Sequence, residues 1–168
     1  MTLPENRRVL IIDDNPSIHD DFRKILGAIG GLDSSLRAKE SLLFGDTDEP
    51  QLLEGFELAA AYQGDEGLER IVEARREGRP FTIAFVDIRM PPGMDGIETI
   101  ARAWDADPEL QFVICSAYSD YTARDILVRL GVSDRLLLLR KPCDSAEILL
   151  IATALCRKWN LRHLIPTC

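Results

Sequence analysis

Apolar residues run along this chain in short continuous blocks, and longer stretches of helical period separate the blocks. The blocks are VLII at 9–12, FELAAAY at 56–62, FTIAFV at 81–86, QFVICSAY at 111–118 and LLLL at 136–139. An uninterrupted block of this length marks a strand buried on both faces of a parallel sheet. Between the first two blocks, Ile18, Phe22, Ile25, Leu26 and Ile29 follow the stripe of an amphipathic helix. Leu68, Ile71, Val72 and Arg75 repeat that stripe more weakly, and Ile97, Ile100, Ala101 and Trp104 make a third. Asp95-Gly96-Ile97-Glu98 opens the third helix as a capping box with Asp as the cap. A fourth helix spans about 120–130 and ends at Gly131. A fifth begins at Asp144, with Glu147 three residues on, and runs towards Trp159. Five strand–helix units in strict alternation predict a doubly wound α/β fold, a parallel sheet with helices on both faces.

Residues 30–55 break that rhythm, being too many for an ordinary helix-to-strand connection. Leu36, Leu42, Leu43 and Phe44 suggest a short extra helix, so the segment reads as a partly ordered insertion between the first helix and the second strand. Pro50 and the acidic GDTDE stretch put its most mobile part near 45–51. The expected organisation is one domain over 1–160, with 161–168 as a tail or the start of a connector to a further domain.

Length and composition narrow the function classes. At 168 residues, 46% apolar and 29% charged, the chain fits one globular domain with a real core. A formal net charge of −8 argues against the basic footprint of a nucleic-acid binder. The N-terminus MTLPENRR lacks the apolar core of a signal peptide, and ILLIATALC at 148–156 is too short to cross a bilayer. The expectation is therefore a cytoplasmic protein with no membrane insertion. Cys115, Cys143, Cys156 and Cys168 show no C-x-x-C pairing, so they read as ordinary reduced thiols.

The candidate chemistry lies where strands end. The first block runs straight into Asp13 and Asp14, followed by Asn15-Pro16 as a helix cap and first helical residue. Asp87 follows the third strand, Ser116 the fourth, and Lys141-Pro142 the fifth. In a doubly wound sheet the first, third and fourth strands lie side by side at the topological switch point, where ligand sites form. Three carboxylates then converge in one cleft, and like charges about 4 Å apart repel by roughly 4 kcal/mol per pair at an effective dielectric near 20. Such a site has either a raised carboxylate pKa or a bound cation. Oxygen ligands with room for waters and phosphate oxygens suit magnesium. Lys141 supplies a point charge for an anion and Ser116 a hydroxyl. A carboxylate nucleophile forming an acyl phosphate fits the set.

With IIDDN (11–15), FVDIRMPPGMDG (85–96), ICSAY (114–118) and RKP (140–142) in this order, the sequence resembles a receiver domain of the two-component response regulator family. The wording of the second and third motifs looks most like receivers attached to hybrid histidine kinases or other multidomain sensors. The resemblance implies a flavodoxin-like (CheY-like) five-stranded sheet of order 2-1-3-4-5. It implies that Asp87 is the phosphoacceptor, with Asp14, Asp87 and the backbone carbonyl of Arg89 on Mg2+ (or Mn2+), and Asp13 acting through a bound water. Ser116 is then the switch hydroxyl, Lys141 its partner at the phosphoryl group, and the Lys141–Pro142 bond cis. It also implies a signalling role rather than an enzymatic one, with self-catalysed phosphotransfer and autodephosphorylation only. The expected partners are a histidine kinase or histidine phosphotransfer protein, and an attached output or kinase domain absent from this sequence. The surface expected to switch is that of the fourth helix, fifth strand and fifth helix, which also allows a homodimer.

Four departures from the family stand out. Leu138 occupies the place of the aromatic switch residue three positions before the lysine, and Tyr118 or Tyr121 is a candidate substitute. Pro92-Gly93 stands where a single residue is normal. Arg89 and Tyr118 flank the place of the incoming water, which predicts a long-lived phosphoryl state. The fourth departure is the insertion. His19, on the first helix, and His163, in the C-terminal extension, read as surface residues rather than phosphotransfer sites. Two other classes compete with the phosphoacceptor reading: a receiver fold that signals without phosphate, and a magnesium-dependent aspartyl phosphohydrolase. Arg89 stands where the latter usually carries a second acid.

Overall fold

The computed structural model describes residues 5–27, 55–117 and 121–164. The expected extra helix and mobile stretch of the insertion, and Tyr118, lie outside them. Strands β1 (Arg8–Ile12), β2 (Glu57–Ala61), β3 (Ile83–Asp87), β4 (Gln111–Ser116) and β5 (Leu136–Arg140) form one sheet. Every neighbouring pair is parallel, and the order is β2-β1-β3-β4-β5. Helices α1 (Pro16–Phe22), α2 (Gly64–Arg76), α3 (Gly96–Ala106), α4 (Ala123–Leu130) and α5 (Ser145–Leu164) connect and flank the strands. Helix α5 runs past residue 160, the expected domain boundary, as one continuous helix.

Alternation along the strands splits the core into two layers. Leu10, Ile12, Ala84, Val86, Phe112 and Ile114 face one side with Ile71 and Ala74 of α2 and Ile97, Ile100 and Ala103 of α3. Val9, Ile11, Ile83, Phe85, Val113 and Cys115 face the other with Phe22 of α1 and Ile148, Ala152 and Leu155 of α5. The central strands β3 and β4 are buried throughout, as their unbroken apolar runs require. At the edge, β5 leaves Leu137 exposed.

The caps follow the sequence in part. Asn15 caps α1 by accepting from the Ser17 amide, with Pro16 at the first turn. Asp95 caps α3 by accepting from Glu98 N at 2.9 Å, while the Glu98 carboxylate pairs with Arg102 instead of returning to the cap. The reciprocal box belongs to α4, between Thr122 and Asp125, and that helix ends at Gly131 with φ 83°. The first helix differs from the regular stripe expected of it: Arg23–Gly27 form a π turn. The wider turn buries Leu26 fully and leaves Ile25 half-buried.

Candidate functional site

The C-terminal edge of the sheet gathers Asp13, just past β1, with the last residues of β3 and β4, Asp87 and Ser116, and with Lys141, which follows β5. Asp13 is fixed by its surroundings. Its amide donates to Ala61 O at 3.0 Å, its Oδ1 accepts from Asn15 N at 2.9 Å, and its carbonyl meets His19 Nε2 at 2.8 Å. The expectation that His19 lies on the surface is therefore corrected: the ring is 2% exposed and packs against Tyr62, with centroids 4.5 Å apart. It is buried because α1 turns its ring back onto the end of β1, where it satisfies the Asp13 carbonyl. His163 is exposed as expected, stacked on Trp159.

Carboxylate oxygens of Asp13, Asp14 and Asp87 all lie within 4.8 Å of one another. Asp13 and Asp87 are buried and Asp14 is exposed, so the cluster opens to solvent on the Asp14 side. Lys141 Nζ bridges the two buried members, 3.3 Å from Asp13 Oδ2 and 3.3 Å from Asp87 Oδ1. Burial and the Asp13 charge raise the Asp87 pKa, and Lys141 only partly offsets them. Burial works against the charge on Lys141, yet the two carboxylates outweigh it and hold the ammonium above its usual range. Three carboxylates thus face one ammonium. A hard divalent cation suits this donor set, which is all oxygen and leaves an open side for water or phosphate. The residues present fit such an ion.

Ser116 is fully buried, and its carbonyl accepts from Lys141 N at 2.8 Å. Its hydroxyl accepts from Arg140 Nη1 at 3.2 Å. The same nitrogen reaches Ala117 O at 3.2 Å and Tyr121 O at 3.3 Å, on either side of residues 118–120. The Tyr121 hydroxyl donates to Asp95 Oδ2 at 3.1 Å and accepts from Arg129 at 3.1 Å. Leu138 packs half-buried against the core layer that also holds Tyr121. Sequence reasoning missed Arg140; strand period gives the face on which it lies but not the reach of its guanidinium. Arg89 is exposed in the loop after Asp87, where Gly96 N donates to Ile88 O at 2.8 Å. The Lys141–Pro142 bond is cis, as expected, and so is Pro91–Pro92 in that loop.

A family described as the response regulator receiver domain matches residues 50–153. The uncharacterized transcriptional regulatory protein YesN of Bacillus subtilis is 30% identical over 92 residues, 55% of this chain and 23% of that protein. The transcriptional regulatory protein AruR of Pseudomonas aeruginosa is 24% identical over 156 residues, 93% of this chain and 51% of that protein. This chain thus spans about a quarter and about half of the lengths of these two relatives. A response regulator receiver domain protein (CheY-like) from Methanospirillum hungatei superposes with a TM-score of 0.62 at 22% identity, covering 93% of this chain and 98% of that one.

Proposed function

The chain belongs to the response regulator receiver family, and from that premise we propose that it is a phosphoacceptor module whose acceptor is Asp87. The observation that carries this reading is the cluster itself: a buried carboxylate at a strand end, two further carboxylates within 4.8 Å and an ammonium at 3.3 Å. Asp14, Asp87 and the carbonyl of Arg89 would hold Mg2+ or Mn2+ directly, with Asp13 acting through a bound water. When bound, the cation supplies positive charge against the phosphoryl oxygens.

The chain's own residues do the rest. Asp87 offers a carboxylate oxygen that forms the new O–P bond as the P–N bond of a donor phosphohistidine breaks, the electron pair staying on the imidazole nitrogen. Lys141, already at that oxygen, is positioned to pair with the incoming charge. Ser116 is within reach of the same edge, and its hydroxyl would turn from Arg140 to the phosphoryl group. The phosphoryl group adds about −1.5 to −2 charges, and that change would be passed to the surface of α4, β5 and α5. The donor partner is a histidine kinase or histidine phosphotransfer protein, and the output lies in a covalently attached domain or a bound partner.

Intact mass after incubation with magnesium and acetyl phosphate tests the reading. One added phosphoryl group in the wild type and none in Asp87→Asn is expected. Equal labelling of both proteins would show that the acceptor is elsewhere, and labelling of neither, with magnesium bound, would favour a receiver fold that signals without phosphate.

A further inference from the structure

A second reactive juxtaposition lies on the other side of β4. Cys115 precedes Ser116 and points into the core layer shared with α1 and α5. Cys143, in the loop that opens α5 just after Lys141-Pro142, packs partly exposed against that same layer. The two thiols are near enough that each is the largest influence on the other's ionisation. Both also line a cavity of about 680 Å³, walled by Ile18, Phe22, Ile25 and Ile148. This places a partly exposed thiol, a second, buried thiol on the same layer and a cavity that serves both, one residue from Ser116 and two from Lys141.

We propose that Cys115 and Cys143 form a peroxide-oxidisable dithiol. Thiolate character favours attack on peroxide, and the neighbouring Cys115 thiol, with help from the Lys141 charge, lowers the Cys143 pKa. The Cys143 sulfur attacks one peroxide oxygen, the O–O bond breaks, and Cys143 becomes a sulfenic acid as the other oxygen leaves as water. The Cys115 sulfur then attacks that sulfenic sulfur. The S–O bond breaks, the S–S bond forms, and a second water leaves with the Cys115 proton. Two thiols lose two electrons between them, and one hydrogen peroxide becomes two waters. The product joins the end of β4 to the β5–α5 loop, where Lys141 N already bonds Ser116 O. The bond would restrain the Ser116 and Lys141 backbones together.

The experiment is intact mass of the whole chain after brief treatment with hydrogen peroxide, in a Cys168→Ala background that removes the terminal thiol. The expected result is loss of the mass of two hydrogens, reversed by a dithiol reductant and absent in Cys143→Ser. Trypsin leaves Cys143 and Cys156 on one peptide, so Cys156→Ser is the control that must keep the cross-link to the Cys115 peptide. Cys115→Ala should hold its oxidation as a sulfenic acid on Cys143, trapped by a dimedone-type reagent. The fold of Cys143→Ser does not depend on a buried group, so it keeps the test valid if Cys115→Ala fails to fold. Retention of the two-hydrogen loss in Cys143→Ser, its disappearance in Cys156→Ser, or a sulfenic acid on wild-type Cys143 that never resolves would overturn the proposal. None of these readouts requires that Asp87 accept phosphate.

Discussion

Asp107 shows what burial does to a single carboxylate far from the cluster. It closes α3, with its amide donating to Ala103 O at 2.7 Å, and its side chain is 1% exposed. Arg75 Nη1 lies 3.2 Å from its Oδ1, and Glu109 N donates to the same oxygen at 3.1 Å. Burial nevertheless dominates and raises the Asp107 pKa, with Arg75 and the backbone donors offsetting it in part. The native chain then holds this proton to higher pH than the unfolded chain does. Stability contributed by the protonated group is complete below the unfolded carboxylate pKa and is lost as pH rises through the raised native value. Asp107→Asn, which cannot ionise, should gain stability relative to the wild type as pH rises through that window. Urea denaturation of both proteins at pH 4 and pH 7 checks the sign, and a constant difference between them would contradict it. Individual residues are also where the sequence was least legible. His19 sits between Ile18 and Asp20 and, as a polar side chain, does not register in the apolar stripe; only the turn of α1 over the end of β1 marks it as buried. Cys115 and Cys143 are 28 positions apart by their numbering, and no local spacing rule brings them together.

The loop from β3 to α3 depends on a close backbone approach. A Cβ on Gly96 would stand 2.5 Å from Asp87 O and 3.0 Å from Ile88 Cα, and both are backbone atoms that cannot swing away. Gly96→Ala should therefore cost about 1–3 kcal/mol in urea denaturation, the range of an overpacked interior site. It should also slow labelling of Asp87, whose carbonyl is the atom pushed. Unchanged stability would mean that the loop has another path. The β4–α4 connection is held differently, by Arg140 bonding the Ser116 hydroxyl and the carbonyls of Ala117 and Tyr121. Arg140→Ala should release Ser116 and loosen this connection. Faster amide exchange at Ala117 and at the start of α4, with β1 to β3 unaffected, is the expected pattern. Uniform exchange changes, or none, would place the coupling elsewhere. At this level the strands were read well because both faces of β1, β3 and β4 are buried and their apolar runs are unbroken. The π turn was not, because Ile25 and Leu26 satisfy the ordinary helical stripe equally well.

Alternation with helices gives the parallel sheet and the family resemblance its order, and that order brings distant positions to one edge. Asp13, Asp87 and Lys141 could be named from the sequence because each directly follows, or ends, a strand whose direction in a parallel sheet is fixed. Which of them touch was not legible, since the 3.3 Å contacts of Lys141 depend on the turn that follows β5. The assembled edge makes a prediction about the whole fold. An ion that binds only the folded cluster stabilises the native state by mass action, about 2.7 kcal/mol at a hundred times its Kd. For a chain of this size each 1 kcal/mol moves Tm by roughly 2–4 °C, so magnesium should raise Tm by about 5–10 °C. Asp14 is the discriminating position because it is exposed, while Asp13 and Asp87 also bond Lys141. Asp14→Asn should change the ion-free stability by under about 0.5 kcal/mol and lose most of the magnesium-dependent rise. Sodium chloride at matched ionic strength controls for screening. A rise that survives intact in Asp14→Asn would place the cation outside the three-carboxylate cluster, whatever Asp87 does with phosphate.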